Sequence, residues 1–187
     1  MASSTIGPFP TSGTPVDEVV RELDAKRGND VRWAEGRTFG LVFDGGDEVR
    51  DVADQAARLF LHDNALNTSA FPSLGEIQSE LCGWTADLLH GPPETAGFLT
   101  SGGTESILCA VEAARERARA ERSITEPEIV LAVSAHAAFH KGAHLFGLRT
   151  RVVPVTDAWT VDLDAMADAV GPNTALVVAS AVDYPTG

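Results

Sequence analysis

The sequence predicts an α/β protein with helices on both faces of a parallel sheet, and three observations predict it. In the second half of the 187 residues, short apolar runs alternate with amphipathic stretches of helical length. Two of the runs, Ile129-Val130-Leu131-Ala132-Val133 and Ala175-Leu176-Val177-Val178-Ala179, have no polar face, as strands covered on both sides require. The runs are followed by glycine-, serine- or proline-bearing turns, so the order strand, helix, strand repeats. That order gives a three-layer domain with right-handed crossovers.

The elements follow from the N-terminus. Residues 1–13 are rich in Ser, Thr, Gly and Pro and read as a loose arm. Thr14-Pro15-Val16-Asp17 reads as a helix start, with a hydroxyl cap, proline in the first turn and an early acid, and Gly28 reads as the stop. Residues 31–46 are irregular or short strand, closed by Asp44-Gly45-Gly46. A second helix is predicted from Glu48 to Leu61, with Val49, Val52, Ala53, Ala56, Leu59 and Phe60 at helical spacing. A polar loop covers 62–72. A third helix, Leu74 to Leu89, places Ile77, Leu81, Trp84 and Leu88 on one face, and Gly91-Pro92-Pro93 ends it. Residues 14–92 thus form a helical N-terminal segment.

From residue 93 the alternation begins. Four strands are predicted, near 96–100, 128–133, 151–155 and 175–180. Three helices lie between them, near 104–121, 137–146 and 162–170. No internal repeat or low-complexity tract interrupts this order.

Composition limits the function. Hydrophobic residues make up 44% and charged residues 22%, an ordinary globular balance. No apolar run reaches the ~18 residues of a membrane span, and the N-terminus lacks the basic start and apolar core of a secretion signal. A net charge of −13 argues against nucleic acid as a partner. Arg115, Arg117, Arg119 and Arg122 interleave with Glu112, Glu116 and Glu121, which is the pattern of a solvated helix face. Cys82 and Cys109 fall inside helical patterns and read as core thiols in a reducing cytoplasm. Only two lysines occur, Lys26 and Lys141.

Three segments carry candidate chemistry, and each follows a predicted strand. Phe98-Leu99-Thr100-Ser101-Gly102-Gly103-Thr104-Glu105-Ser106 is a strand end, a tight turn and a helix start. Glycine lets backbone approach a ligand, and the free amides of a first helical turn favour an anion. Neither the Walker spacing nor the dinucleotide spacing is present, so a single phosphate is the natural guest. Thr104 and Ser106 add hydroxyl donors. Ser134-Ala135-His136 follows the second strand and brings His136 to the same edge. Ser180 follows the last strand, within Ser180-Ala181-Val182-Asp183-Tyr184-Pro185-Thr186-Gly187. Open α/β sheets bind ligands at this carboxyl edge. His140 and His144 are spaced i,i+4 but have no acid or thiol at suitable spacing, so no metal is expected.

Thr100-Ser101-Gly102-Gly103-Thr104-Glu105-Ser106-Ile107-Leu108 resembles the phosphate-binding segment of sphingosine-1-phosphate lyases, in the pyridoxal-phosphate group II decarboxylase superfamily. Ser134-Ala135-His136-Ala137-Ala138-Phe139, with Lys141, is similar to that family's ring-stacking segment. Gly45-Gly46-Asp47-Glu48, His62-Asp63-Asn64-Ala65-Leu66-Asn67, Pro72-Ser73-Leu74, Asp162 to Met166 and Asn173-Thr174-Ala175 extend the likeness over about residues 30–187. The archaeal-type tyrosine or aspartate decarboxylases are the nearest confusable group.

The resemblance implies the large domain of fold type I pyridoxal-phosphate enzymes, here incomplete, with residues 93–187 as its first half. It implies pyridoxal 5′-phosphate as cofactor. Gly103, Thr104 and Glu105 would hold its phosphate, His136 would stack on its ring, Ser180 would lie near it, and Asn64 would face the substrate. Asn67-Thr68 departs from the family's usual His-Pro, and Thr186 from a usual histidine. The implied reaction breaks a carbon–carbon bond, by decarboxylation of an amino acid or retro-aldol cleavage of a phosphorylated amino alcohol. An aminotransferase-like activity and a non-catalytic fragment are the alternatives. The family's Schiff-base lysine matches neither Lys26 nor Lys141, so the chain by itself is expected to be inactive. A cytoplasmic homodimer is implied for the complete enzyme.

Overall fold

Five consecutive residues, Glu128–Ala132, are all buried and form the central strand β1. The computed structural model describes residues 7–36, 38, 40 and 42–182. Within it β1 is flanked on one side by β2 (Arg149–Val153) and on the other by β3 (Thr174–Val178), and both neighbours run parallel to it. Ile129 is in register with Thr150 and Leu176, and Leu131 with Val152 and Val178.

Alternate residues of β1 feed two different cores, as the two-residue period of a strand dictates. Ile129 and Leu131 pack with Val178, with Val111 of helix α4 (Gly103–Arg122) and with Ala143 of helix α5 (Ala137–Phe146). Val130 and Ala132 pack with Val153 and with Met166 of helix α6 (Leu163–Ala169). The sheet is therefore the middle of three layers, with α4 and α5 on one face and α6 on the other.

Helices α4 and α5 approach closely at Gly142. A Cβ there would lie 3.2 Å from Val111 Cβ and 3.4 Å from Leu108 Cδ2. Two arginines of α4 secure its neighbours. Arg115 Nη1 donates to Phe146 O at 3.1 Å, the last carbonyl of α5, and its guanidinium lies 5.2 Å from the Phe146 ring centre. A cation on the carboxyl end of a helix also complements its dipole. Arg122 Nη2 donates to Thr174 O at 2.7 Å, at the start of β3. Arg117 and Arg119 do pair along the helix surface, with Glu121 at 2.9 Å and Glu116 at 3.1 Å. The arginine-rich face is thus half solvated and half a set of cross-ties.

At the opposite end of the sheet from the candidate site, Glu128 opens β1 with only 3% of its surface exposed. Arg151 holds both of its carboxylate oxygens, at 2.6 and 3.3 Å, and Arg149 adds a contact at 3.4 Å. The Arg151 hydrogen bonds, with the charge of both guanidiniums, hold the Glu128 carboxyl below its ordinary range despite burial.

The chain divides into two units, Met1–Leu59 and Phe60–Gly187. The first holds α1 (Val16–Lys26), short 3-10 turns at Arg27–Asn29 and Trp33–Glu35, and α2 (Asp47–Leu59). Arg50 bonds Asp44 at 2.5 Å, pairs with Asp47, and lies 5.7 Å from the Trp33 ring centre. The second unit begins with α3 (Pro72–Leu88) ahead of the α/β layers. The apolar stripes that mark these helices in the sequence are largely exposed, as at Leu23, Val52 and Trp84.

Four sequence expectations need correction. Residues 96–100 do not form a strand, so the sheet has three strands rather than four among the described residues. A strand requires a hydrogen-bonded neighbour, and here the Leu99 amide instead donates to Gln78 Oε1 at 3.2 Å. Pro15 rather than Thr14 occupies the N-cap position of the first helix, and no side-chain hydrogen bond caps it. Strand β2 lies two residues earlier than the apolar run at 151–155 indicates, because Arg149 and Arg151 are recruited by Glu128 and Pro154 has no amide to continue the ladder. Cys82 and Cys109 are free thiols but half-buried rather than core residues.

Candidate active site

The carboxyl ends of the parallel strands all face one edge. Helix α4 leads through residues 123–127 into the amino end of β1, so its own N-terminus returns to that carboxyl edge. Helix α5 starts there directly after β1. Both helices lie on the same sheet face, and Ile107 and Phe139, one turn inside each, pack against the same core cluster. The topology thus brings the Gly102-Gly103 turn and His136 to one edge of one face, with Ser180 just past the end of neighbouring β3.

The turn is built by its own side chains. Gly102 is the N-cap of α4 with φ +153° and ψ 176°, a conformation open in practice only to glycine. Glu105, in the first helical turn, reaches back so that Oε2 accepts the Ser101 amide at 2.6 Å. Hydrogen bonds from the Ser101 side chain and amide hold the Glu105 carboxyl below its usual range. Thr100 Oγ1 donates to Gly102 O at 3.0 Å, meets Ser106 Oγ at 2.6 Å, and receives the Gly102 amide at 3.4 Å.

These bonds decide which donors remain. The Ser106 amide enters the helical ladder through Gly102 O at 3.2 Å. The amides of Gly103, Thr104 and Glu105 meet no acceptor among the described residues. A Cβ built on Gly102 or Gly103 meets nothing within 4 Å, so open space lies before the turn. Three unpaired amides, a positive helix end and open access suit a phosphate group. Glu105 fits this as an amide donor only, because its carboxylate is turned onto Ser101. Ser106 likewise shares its hydroxyl with Thr100. Beside the turn a cleft of about 410 Å³ is lined by Ala96, Gly97, Phe98, Thr100, Ser106 and Cys109.

His136 is the N-cap of α5, exposed, and its Nδ1 accepts the Ala138 amide at 3.1 Å. The bond requires that Nδ1 carry no proton and fixes the ring relative to the helix, leaving Nε2 for other partners. Asn64 is exposed in the loop before α3, where its Oδ1 accepts the Leu66 amide at 3.2 Å. Ser180 is exposed. Asp183 to Gly187, including Thr186, lie outside the described residues. No cluster of three metal-ligating side chains occurs among the described residues.

Sequence reasoning did not identify the Glu105–Ser101 bond or the cap made by His136. The first had a signal: an acid three residues after the N-cap is the spacing at which a side chain reaches back to the preceding backbone. The second had none, since histidine is not among the residues that mark an N-cap.

The layers and this edge match the large domain of fold type I pyridoxal-phosphate enzymes. The chain belongs to the aminotransferase class-V family, whose model matches residues 50–187. It is similar to sphingosine-1-phosphate lyase 1 of Rattus norvegicus, with 40% identity over 96% of this chain and 31% of the relative. A probable L-tyrosine/L-aspartate decarboxylase of Methanospirillum hungatei is 30% identical over 89% of this chain and 42% of its own length. Among solved structures, the sphingosine-1-phosphate lyase of Burkholderia pseudomallei K96243 superposes with a TM-score of 0.87 at 39% identity, covering 98% of this chain and 44% of that one. Oryza sativa TDC, solved with PLP, shares the fold with a TM-score of 0.64 at 19% identity, over 90% of this chain and 40% of its own. The chain spans about a third of the length of the curated lyases it matches. None of its helices, among the described residues, is long and apolar enough to cross a membrane.

Proposed function

We propose that this chain provides the phosphate-gripping and ring-stacking part of a pyridoxal-phosphate-dependent carbon–carbon lyase. The observation that carries the reading is the set of three unpaired amides at Gly103, Thr104 and Glu105, at the same sheet edge and on the same face as His136. The likeness to sphingosine-1-phosphate lyases supports it and ranks retro-aldol cleavage of a phosphorylated amino alcohol ahead of decarboxylation of an amino acid.

In this reading the three amides and the Thr104 hydroxyl bind the cofactor phosphate. The helix dipole of α4 adds positive potential at that phosphate. His136, held by the Ala138 amide, lies against the pyridine ring. Ser180 adds a hydroxyl from the neighbouring strand end, and Asn64 faces the substrate. When bound, the cofactor supplies an electron sink for the carbanion left by bond cleavage. The protein's part is to orient the cofactor and limit the motion of its phosphate anchor.

The cofactor-bearing lysine is proposed to be neither Lys26, the last residue of α1, nor Lys141, which is exposed within α5. The chain alone then binds the cofactor without turning over substrate. The complete enzyme is proposed to be a cytoplasmic homodimer. Because the matching family model bears an aminotransferase name, amino transfer is the second reading.

The test is to add pyridoxal 5′-phosphate to the 187-residue chain, then measure binding by equilibrium dialysis and turnover with a phosphorylated sphingoid base and with Glu, Asp and Tyr. Binding displaced by inorganic phosphate, with no turnover, is the expected result. No binding refutes the cofactor site, and turnover lost on Lys141→Ala refutes the lysine assignment.

A further inference from the structure

We propose that Glu105 is a positioning residue for the anion site: its carboxylate occupies the Ser101 amide and so holds the turn in the form that presents the next amides to a ligand. The inference rests on the phosphate-site reading above and deepens it.

An acid in the first turn of an anion-binding helix is at first sight a liability, since it places negative charge near a negative guest. The geometry shows what offsets this. Oε2 sits 2.6 Å from the Ser101 nitrogen, so the charge is spent on a backbone donor upstream of Gly102. Thr100 Oγ1 accepts the Gly102 amide at 3.4 Å, and Ser106 Oγ meets Thr100 Oγ1 at 2.6 Å. Two side chains of the first helical turn, Glu105 and Ser106, therefore fold back onto residues 100–102. Glycine at 102 has no side chain to restrain it and samples many backbone states when unheld. With the carboxylate in place, the Ser101 amide is satisfied internally and the donor set offered outward is limited to Gly103, Thr104 and Glu105. Without it, the Ser101 amide loses its acceptor and the Gly102 hinge is free to turn the following amides away.

Positioning and plain charge repulsion make opposite predictions. Glu105→Gln keeps an acceptor oxygen at the same reach and removes the charge. Glu105→Ala removes both. The experiment is an amide-resolved NMR titration of the 187-residue chain and both variants with inorganic phosphate, read at Gly103 and Thr104. The amide of Ala138, capped by His136, reports whether the fold is intact. Positioning predicts that Glu105→Gln stays within about threefold of the parent, whereas Glu105→Ala binds about five- to tenfold more weakly, the loss typical of one capping bond. The Ser101 resonance is expected to move in Glu105→Ala before any phosphate is added. If both variants bind more tightly than the parent, the carboxylate acts as a repelling charge and the proposal is overturned. Equal binding by Glu105→Ala and the parent also overturns it. A parent chain whose Gly103 and Thr104 resonances ignore phosphate overturns the anion site itself, a distinct failure.

Discussion

Two adjacent glycines in the turn respond oppositely to the same small substitution. Gly102 has φ +153°, and an L side chain is strained there whatever the space around it. Gly103 is the first residue of α4 and has no such conformation. At neither position does an added Cβ meet an atom within 4 Å, so steric crowding is the same and absent in both. What differs is backbone strain. Alanine at 102 meets a strain of about 1–3 kcal/mol, reduced somewhat by the lower entropy of its unfolded chain. The net loss is about 1–2 kcal/mol, which for a chain of this size lowers Tm by about 2–8 °C. Alanine at 103 enters a helical position and is neutral or stabilising by up to about 1 kcal/mol. Urea unfolding of Gly102→Ala, Gly103→Ala and the parent, followed by circular dichroism, measures both. Equal stability for the two variants would refute the assignment of Gly102 as the strained hinge.

The rest of the scaffold gives four further expectations. Arg151→Met leaves the buried Glu128 carboxylate with Arg149 alone and lowers unfolding stability by about 1–3 kcal/mol, measured at neutral pH. Because the folded-state carboxyls of Glu128 and Glu105 titrate below their ordinary value of 4.5, their contribution is present above pH 4.5 and fades as pH falls through the lowered folded values. The Arg151→Met variant and the parent should therefore converge in stability in acid, which a pH series of urea midpoints checks. Gly142→Leu pushes α5 from α4 and costs about 1–3 kcal/mol by overpacking, visible as a lower thermal midpoint. Arg115→Met uncaps Phe146 O and loses about 1 kcal/mol, with faster hydrogen exchange confined to the last turn of α5.

The parts that sequence revealed are those fixed by local periodicity. Helices α4, α5 and α6 and strands β1 and β3 lie within about two residues of their expected places, because apolar spacing and buried faces coincide there. Residues 96–100 look equally strand-like, yet whether an apolar run becomes a strand depends on a partner elsewhere in the chain. Strand β2 shows the converse, since a buried glutamate on its neighbour recruits two arginines that no apolar pattern marks. The candidate site divides in the same way. Gly102, Gly103 and His136 were legible from their positions after apolar runs. The bond from Glu105 to Ser101 and the hydroxyl pair of Thr100 and Ser106 depend on torsions of the turn, which composition does not specify.

A crystal structure of the chain grown with pyridoxal 5′-phosphate shows whether the Gly102-Gly103 turn and His136 hold one ligand. The phosphate is expected within hydrogen-bond distance of the Gly103 and Thr104 amides, with the pyridine ring against the His136 imidazole. Phosphate bound elsewhere, or a ring that leaves His136 untouched, would contradict that expectation.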